Sequence, residues 1–599
     1  MLPNHTRVTH AVVAGLLLFA ATCAAGWAAS STPTDTGAAT TTADAAFQKL
    51  ADQFFDQYYF PTNPTIATST GLHSYDDQLE DYSRAAIDRQ IAALKQWDTH
   101  VGAVDAAKLD ETTRGDRQLV LNYIHSTLLT LQTIRPWEKN PDTYSSGITN
   151  SAFTIMERKY APLPDRLRFL IARERLMPAV LQAARANLKR PPHVYTEIAL
   201  EQLPGLIDFF SKDVPDAFAT VTDVSLKKQF TESNAAVIKA LGGYQTWMKN
   251  TLLAQSKGDF RLGVETYRKK LKYDEMVDLP LDRLIAMDMV NMRQNQADFA
   301  RIAKQIDPEK TTRQVLAELA ADHPAPAKLL DTFRDTFSGL IKFINKKHII
   351  TIPSTVRPIL EETPPFMRAI TFASMDTPGP YETLAKEAYF NVTLPDPAWS
   401  KTRTDEFMAQ FSYPVITSIA THEAYPGHYV QFLWMHDIHD RVRKLLGANT
   451  NVEGWAHYCE QMMLDEGLGE FLFPHDVRQQ KLLRLGQLQD ALLRNARFVV
   501  GIKMHTGQMS MDQAIDFFVK EGFQSRAVGQ VETKRGTSDP TYLYYTLGKL
   551  EILKLRADLK AREGKNFNLM QFHNTFVQQG FAPIKIVRHA MLHDDSSTL

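Results

Sequence analysis

Two histidines and a glutamate in the segment Thr421–His428, THEAYPGH, are of the types that bind and use a catalytic metal ion. A catalytic zinc ion takes neutral nitrogen or carboxylate ligands, keeps one position open for water, and works beside a carboxylate that accepts a proton from that water. His422 and His428 supply two such ligands, and Glu423 supplies the base. The segment predicts a zinc-dependent hydrolase; the alternative is a helix with two ordinary polar histidines and a proline kink.

The spacing of the two histidines requires a break in the helix. They are six residues apart, and at about 100° per residue six steps turn roughly 240° around a helix axis. A straight helix would therefore direct the two imidazole rings apart. Pro426 cannot donate to a helical ladder, and Gly427 can adopt conformations closed to other residues. We expect a break at Tyr425–Gly427 that turns His428 back towards the metal.

A third ligand is expected from the segment Asn451–Glu460, NVEGWAHYCE. Glu453 and Glu460 are seven residues apart and so lie on one face of a helix. The aromatic residues around them indicate a partly buried helix, in which an unpaired carboxylate is costly. We expect Glu453 to be the third ligand and Glu460 to orient a ligand histidine. Two alternatives remain, which are Glu460 as the ligand and a solvated charge on the helix face.

The pair of motifs HEAxPGH and EGWAxYxE resembles the bacterial domain-of-unknown-function 885 family. Members of that family are regarded as zinc peptidases of the gluzincin type. The resemblance runs over most of the mature chain and implies a gluzincin-like helical metallopeptidase with a deep cleft between lobes. It implies zinc as the cofactor, His422, His428 and Glu453 as its ligands, and Glu423 as the general base.

Three residues further along the chain match the same resemblance, and these are His505, Arg535 and Tyr545. A tyrosine or histidine donor near the metal can stabilise the oxyanion of a tetrahedral intermediate, and an arginine can hold a peptide carboxylate through two hydrogen bonds. We expect Tyr545 and His505 to be catalytic and Arg535 to bind substrate. The alternatives are a helix cap for His505, a surface charge for Arg535 and core packing for Tyr545.

Helices must position most of these residues. Apolar side chains recur at helical spacing through residues 44–346 and again from the metal motif to the C-terminus. Ser510 and Gln513, before an apolar run, predict a capped helix start. Between the helical regions, β-branched or aromatic residues predict three strands, at Ile349–Pro353, Ala369–Phe372 and Tyr389–Leu394. The predicted fold is mainly α-helical with one small β-sheet.

The change of pattern also predicts the domain organisation. Residues 44–346 form a helical lobe and residues 347–599 a metal-binding catalytic lobe, with the substrate cleft between them. The strand at Tyr389–Leu394 lies shortly before His422 in the sequence. If one edge of that strand is free, an extended peptide substrate could pair with its backbone.

The N-terminus predicts export. After Arg7, the uncharged run Ala11–Ala25 is too short to span a bilayer comfortably, and small residues make cleavage after Ala28 plausible. Residues 1–28 are thus expected to be a signal peptide, and residues 29–43 a disordered spacer without large apolar side chains. The expected location is periplasmic or secreted, with no membrane contact after cleavage; a retained membrane anchor is the alternative.

Composition and charge exclude other classes of function. The chain has 67 Lys and Arg against 68 Asp and Glu, a net charge of -1, so no overall field attracts nucleic acid. Its only cysteines, Cys23 and Cys459, cannot form a disulfide framework. Cys459 has no positive neighbour in the sequence to activate it, so we expect a buried, inert thiol.

These observations predict an exported zinc-dependent peptidase in which Glu423 takes a proton from a metal-activated water that attacks a peptide carbonyl. One alternative is a zinc hydrolase of non-peptide amides or esters, which the ligand set alone does not distinguish. Another is a noncatalytic metal-containing binding protein. Glu423 argues against the latter, because a purely structural site needs no base.

Overall fold

The computed structural model describes residues 41–364, residue 368 and residues 372–599. The predicted signal peptide and most of the predicted spacer lie outside these residues. The first described helix begins at Thr42, two residues before the expected start of structure. Thr41 caps it, because its side chain accepts from Asp44 N while the Asp44 carboxylate accepts from Thr41 N.

Helices account for most of the described chain, as predicted. The α-helices before the sheet are α1 Thr42–Phe54, α2 Phe60–Thr62, α3 Pro64–Ser69, α4 Arg84–Gly102, α5 Glu111–Leu129, α6 Pro136–Lys139, α7 Asp142–Met156, α8 Leu163–Asn187, α9 His193–Asp208, α10 Val214–Ala217, α11 Val224–Trp247, α12 Leu253–Gln255, α13 Val264–Glu275, α14 Leu281–Ile306, α15 Thr312–Ala321 and α16 Leu329–Lys347. The α-helices after it are α17 Lys401–Met408, α18 Tyr413–Glu423, α19 His428–Trp434, α20 Arg441–Leu445, α21 Asn449–Asp465, α22 Leu468–Leu472, α23 Val477–His505, α24 Met511–Lys520, α25 Arg526–Ser538, α26 Tyr544–Glu563, α27 Leu569–Val577 and α28 Ile584–Leu592. In none of the described helices is there a stretch long and apolar enough to cross a membrane.

One small sheet lies between the two sets of helices, which confirms the prediction of a mainly α-helical fold with one small β-sheet. Its three strands are β1 Ile359–Glu362, β2 Ala373–Asp376 and β3 Tyr389–Val392. The strand order is β1-β3-β2, with β3 parallel to β1 and antiparallel to β2. Phe390 in the centre pairs with Leu360 on one side and Met375 on the other, and is fully buried.

The central position of β3 overturns one expectation. Both of its edges are already paired, so an extended peptide cannot add to this strand. The sequence did not reveal this, because β3 is the last of the three strands in the chain but lies between β1 and β2 in the sheet.

The prediction of a strand at Ile349–Pro353 is wrong, because these residues form no β-ladder. Ile349 and Ile350 are buried, so their apolar character reflects burial and not a β-ladder. The side chains of Asn574, Trp434 and His573 bond the backbone of this run in place of a neighbouring strand. Of the strand predicted at Ala369–Phe372, residues 369–371 lie outside the described part of the chain; β2 begins one residue after Phe372.

The cores do not divide at residue 346. The largest one joins α1 and α5 to α16, the sheet and the helices α18 to α21, so it contains residues from both predicted lobes. A second core belongs to the helical region alone and lies among α7, α8, α9 and α11. Two smaller cores hold α13 and α14 against α23 and α26. The helices around the metal motif are therefore packed on several sides.

Candidate metal centre

The break between α18 and α19 brings the two motif histidines together. The helix α18 ends at Glu423 and α19 begins at His428, which confirms the expected break. Gly427 lies against the end of α18, where a Cβ atom would approach His422 O to 1.7 Å, so only glycine fits. Its N–H donates to Thr421 O at 3.0 Å. As a result, the ring centroids of His422 and His428 are 4.9 Å apart.

Glu453 completes a three-residue cluster from the facing helix α21. Its Oε2 atom lies 3.3 Å from His422 Nε2 and 3.4 Å from His428 Nε2. Although burial raises the pKa of the Glu453 carboxyl, its contacts with the two histidines hold it well below the usual range. The structure thus brings all three predicted ligands together, with an ionised carboxylate between two imidazoles.

These three residues fit a zinc ion. Zinc–ligand distances of about 2.0–2.2 Å in a tetrahedral shell separate neighbouring ligand atoms by roughly 3.4 Å. The separations of 3.3 and 3.4 Å from Glu453 Oε2 to the two Nε2 atoms match this distance between neighbouring ligand atoms. Glu453 Oε2 is also buried without a hydrogen bond from the described residues, so it has an unused lone pair for a metal.

Glu423 lies at the same cluster. A carboxylate oxygen of Glu423 and one ring nitrogen from each of His422 and His428 all lie within 4.8 Å of one another. Glu423 is partly exposed, unlike the two histidines. This position suits either a ligand or a base next to the ligands. Glu453, and not Glu423, contacts both Nε2 atoms.

Glu460 contacts the first histidine of the motif on the ring nitrogen that faces away from Glu453. Its Oε1 atom lies 2.7 Å from His422 Nδ1. Glu460 is fully buried, and although burial raises its pKa, Arg494, His457 and His422 hold the pKa well below the usual range. The ionised carboxylate can only accept, so Nδ1–H donates a hydrogen bond to it, and this leaves the lone pair of His422 Nε2 for a metal.

Tyr545 reaches the cluster from α26. Its ring centroid lies 6.4 Å from that of His422. Arg535 does not face the metal cluster directly, because its Nη2 donates to the Tyr545 hydroxyl at 3.2 Å and to Asp539 Oδ2 at 3.1 Å. The structure therefore brings Tyr545 to the site, with Arg535 behind it.

Two arginines that sequence reasoning missed lie on α23. Arg494 Nη2 is 3.0 Å from Glu460 Oε1, and Arg497 is bonded to Glu532 through two atoms at 2.7 and 2.8 Å. Both guanidinium groups pack against the Tyr545 ring, at 5.5 and 5.1 Å from its centroid. A signal was present, because the two arginines are three residues apart within the mostly apolar run ALLRNARFVV.

His505 is not part of this site, and its catalytic assignment is corrected. It ends α23, eleven residues after Arg494, which is roughly 16 Å along a helix. Its Nε2 atom lies 2.7 Å from Gly536 O, and burial lowers its pKa to about 4. His505, at the end of α23, therefore bonds a carbonyl in the last turn of α25. This agrees with the alternative that His505 caps a helix end.

The comparisons with known proteins agree with the fold. The family described as "Bacterial protein of unknown function (DUF885)" matches residues 64–591. Two solved structures, each described as a "putative lipoprotein", are similar. The one from Shewanella oneidensis, of unknown function, is 28% identical with a TM-score of 0.76, covering 91% of this chain and 99% of that one. The one from Colwellia psychrerythraea is 19% identical with a TM-score of 0.77, covering 92% and 99%. No curated protein matches the chain.

Proposed function

Because the chain belongs to the DUF885 family of bacterial proteins of unknown function, we infer its function from the site, and we propose that it is a zinc-dependent peptidase. The observation that carries the proposal is the meeting of His422, His428 and Glu453 around one point, with Glu423 beside them. A structural metal needs no adjacent carboxylate base, so the position of Glu423 favours catalysis over storage or scaffolding.

The chain's own residues divide the work of hydrolysis. His422, His428 and Glu453 would hold the zinc ion, which supplies Lewis-acid chemistry and makes water acidic when it is bound. Glu423 accepts the proton of the attacking water and passes it to the leaving amine. Glu460 keeps His422 in the tautomer that presents Nε2.

Tyr545 would stabilise the negative charge that develops on the substrate carbonyl oxygen. Its hydroxyl accepts a hydrogen bond from Arg535, and no described residue provides an acceptor for its own proton. That proton is therefore available to the substrate. The ring's position beside His422 supports this role, because an oxyanion donor must lie near the reacting carbonyl.

The proposed fold relationship and location follow from the same argument. We propose a gluzincin-like arrangement with the peptide in a cleft between the helical lobe and the metal-binding helices. The uncharged N-terminal run and the descriptions of the two similar structures support an exported, periplasmic or secreted protein.

The test is a digest of a mixed peptide library by purified protein, analysed by mass spectrometry, with and without a chelator. We expect new cleavage products that disappear with the chelator and return with added zinc. Glu423→Gln is the matched control, because it retains the three ligands and should yield no products. Cleavage that survives complete metal removal would overturn the proposal, and so would hydrolysis of ester or non-peptide amide probes alone.

A further inference from the structure

Arg535 is poorly placed to bind a substrate carboxylate. Its side chain is only 8% exposed. Its Nε and Nη2 atoms lie 3.3 and 3.1 Å from Asp539 Oδ2, and the same Nη2 donates to Tyr545 at 3.2 Å. The Tyr544 hydroxyl also donates to that Asp539 oxygen, at 3.0 Å. A terminal carboxylate would have to displace Asp539, whose Oδ2 atom already accepts hydrogen bonds from Arg535 and Tyr544, to reach these donors of the guanidinium.

The hydrogen bond from Arg535 determines what the Tyr545 hydroxyl can do. A phenol oxygen accepts hydrogen bonds through its lone pairs and donates one proton. Arg535 occupies a lone pair, because a guanidinium can only donate. The phenol proton must then point elsewhere, and no described residue accepts it. The bond thus holds the hydroxyl with its proton free for a substrate.

The ring of Tyr545 is held as firmly as its hydroxyl. The guanidinium groups of Arg494, Arg497 and Arg535 lie 5.5, 5.1 and 5.9 Å from the ring centroid. Each of the three is anchored by a carboxylate, namely Glu460, Glu532 and Asp539 respectively. We call these three arginines the arginine cage. Such contacts restrict ring rotation and side-chain motion.

We propose that Arg535 is a positioning residue that acts through Tyr545, and that it does not recognise the substrate's terminal carboxylate. It holds the hydroxyl so that the phenol proton meets the carbonyl oxygen as negative charge develops there. This deepens the proposed peptidase function and rests on it. It follows that Arg535 imposes no requirement for a free C-terminus on the substrate.

A double-mutant cycle tests the proposal on the zinc-loaded enzyme. Tyr545→Phe should lower kcat by roughly 10²-fold, as for loss of one oxyanion donor. Arg535→Gln should lower kcat by about 10-fold or more with KM changed little, equally for a peptide and its C-terminal amide. In the Tyr545→Phe background, Arg535→Gln should then change kcat by less than about 2-fold. The proposal would be overturned if the effects of the two substitutions on kcat multiplied in the double mutant. It would also be overturned if Arg535→Gln reduced activity only on peptides with a free C-terminus.

A crystal structure of zinc-loaded Arg535→Gln provides a readout that needs no activity. We expect the Tyr545 ring to leave its position 6.4 Å from His422; an unmoved ring and hydroxyl would overturn the proposal. Arg443→Gln is the matched control, because Arg443 is equally buried against Asp116 and its other hydrogen-bond partners, Gln579 and Thr112, are not residues of the proposed site. It should lower stability and leave kcat unchanged. Absence of chelator-sensitive cleavage by the wild type would reject the peptidase proposal, while the structural comparison would still decide the role of Arg535.

Discussion

Gly454 and Gly548 meet backbone to backbone where α21 packs against α26. A Cβ atom on Gly454 would lie 2.6 Å from Gly548 Cα, and one on Gly548 would lie 1.9 Å from Thr450 O. Two helices approach this closely only where side chains are absent. Gly454 directly follows Glu453, and Gly548 is one helical turn after Tyr545. The contact therefore sets the distance between a predicted metal ligand and the tyrosine.

Replacing Gly548 by alanine should force these helices apart. We expect a loss of about 1–3 kcal/mol in the free energy of unfolding, as for overpacking of a core, together with a lower kcat in the protein that folds. Urea unfolding and peptide kinetics measure the two effects. The control is Gly242→Ala in α11, where a Cβ atom meets nothing within 4 Å; it should not destabilise the protein. Wild-type stability of Gly548→Ala would contradict the close approach.

Removal of a predicted ligand should remove the metal. Purified wild-type protein should contain about one zinc ion per chain, and His422→Ala should lose most of it, because two protein ligands bind zinc much more weakly than three. Metal analysis after dialysis measures the content, and circular dichroism checks the fold. A folded His422→Ala protein with full zinc content would remove His422 from the ligand set.

Removal of the proposed base Glu423 should leave zinc binding intact. Glu423→Gln preserves the size of the side chain and leaves His422, His428 and Glu453 intact, so zinc content should stay at the wild-type level. Hydrolysis should fall by roughly two orders of magnitude or more, because general base catalysis typically contributes that much. Undiminished turnover would show that another group takes the proton from water. Loss of zinc would instead identify Glu423 as a ligand.

Glu460→Gln should weaken zinc binding without removing a ligand. An amide can still contact His422 Nδ1, which now lies 2.7 Å from Glu460 Oε1, but it carries no charge to support the ligand histidine. We expect zinc affinity to fall by roughly 10–100-fold, the usual effect of losing such a partner. Competition with a chromophoric chelator measures the affinity. An unchanged affinity would mean that Glu460 serves only Arg494 and His457.

The stability of the protein should depend on the charge of His73, which joins the helical region to the segment before β3. Its Nδ1 is 3.1 Å from Asp76 Oδ2 and its Nε2 is 3.0 Å from Glu382 Oε2. Burial lowers the pKa of His73, but the bonds to Asp76 and Glu382 outweigh it and raise the pKa to about 9. In the unfolded chain the pKa is about 6.5. Protonated His73 therefore stabilises the folded state, and this contribution is fully present below a pH of about 6.5. It is lost as the pH rises through about 9, where folded His73 loses its proton.

We therefore expect His73→Gln to lower the free energy of unfolding more at pH 6 than at pH 9.5. With the side chain 26% exposed, the difference should be of order 1–2 kcal/mol in the free energy of unfolding, less than the full shift would imply. Urea unfolding at both pH values measures it. His193→Gln is the control, because His193 is 58% exposed beside Glu197 and should contribute less than about 0.5 kcal/mol at either pH. Equal costs for His73→Gln at both pH values would refute the prediction.

Local features of the chain were predictable because they depend on near neighbours in the sequence. The capped start of α24 followed from Ser510 and Gln513, and the structure has both of its hydrogen bonds. The break that turns His428 back followed from Pro426 and Gly427. The strands were less predictable, since an apolar β-branched run such as Ile349–Pro353 is equally suited to a buried segment whose backbone is bonded by side chains.

The sequence by itself determined the donor set of the site and the local geometry of its histidines, because residue type and short spacing decide both. Only the tertiary structure decided which carboxylate faces which nitrogen. Glu453 meets both Nε2 atoms and Glu460 meets Nδ1 across 38 residues of chain, which depends on how α21 packs against α18. The arginine cage around Tyr545, and the position of His505 outside the metal cluster, depend on how α23, α25 and α26 pack together. Such contacts join residues far apart in the chain, and no short-range periodicity records them.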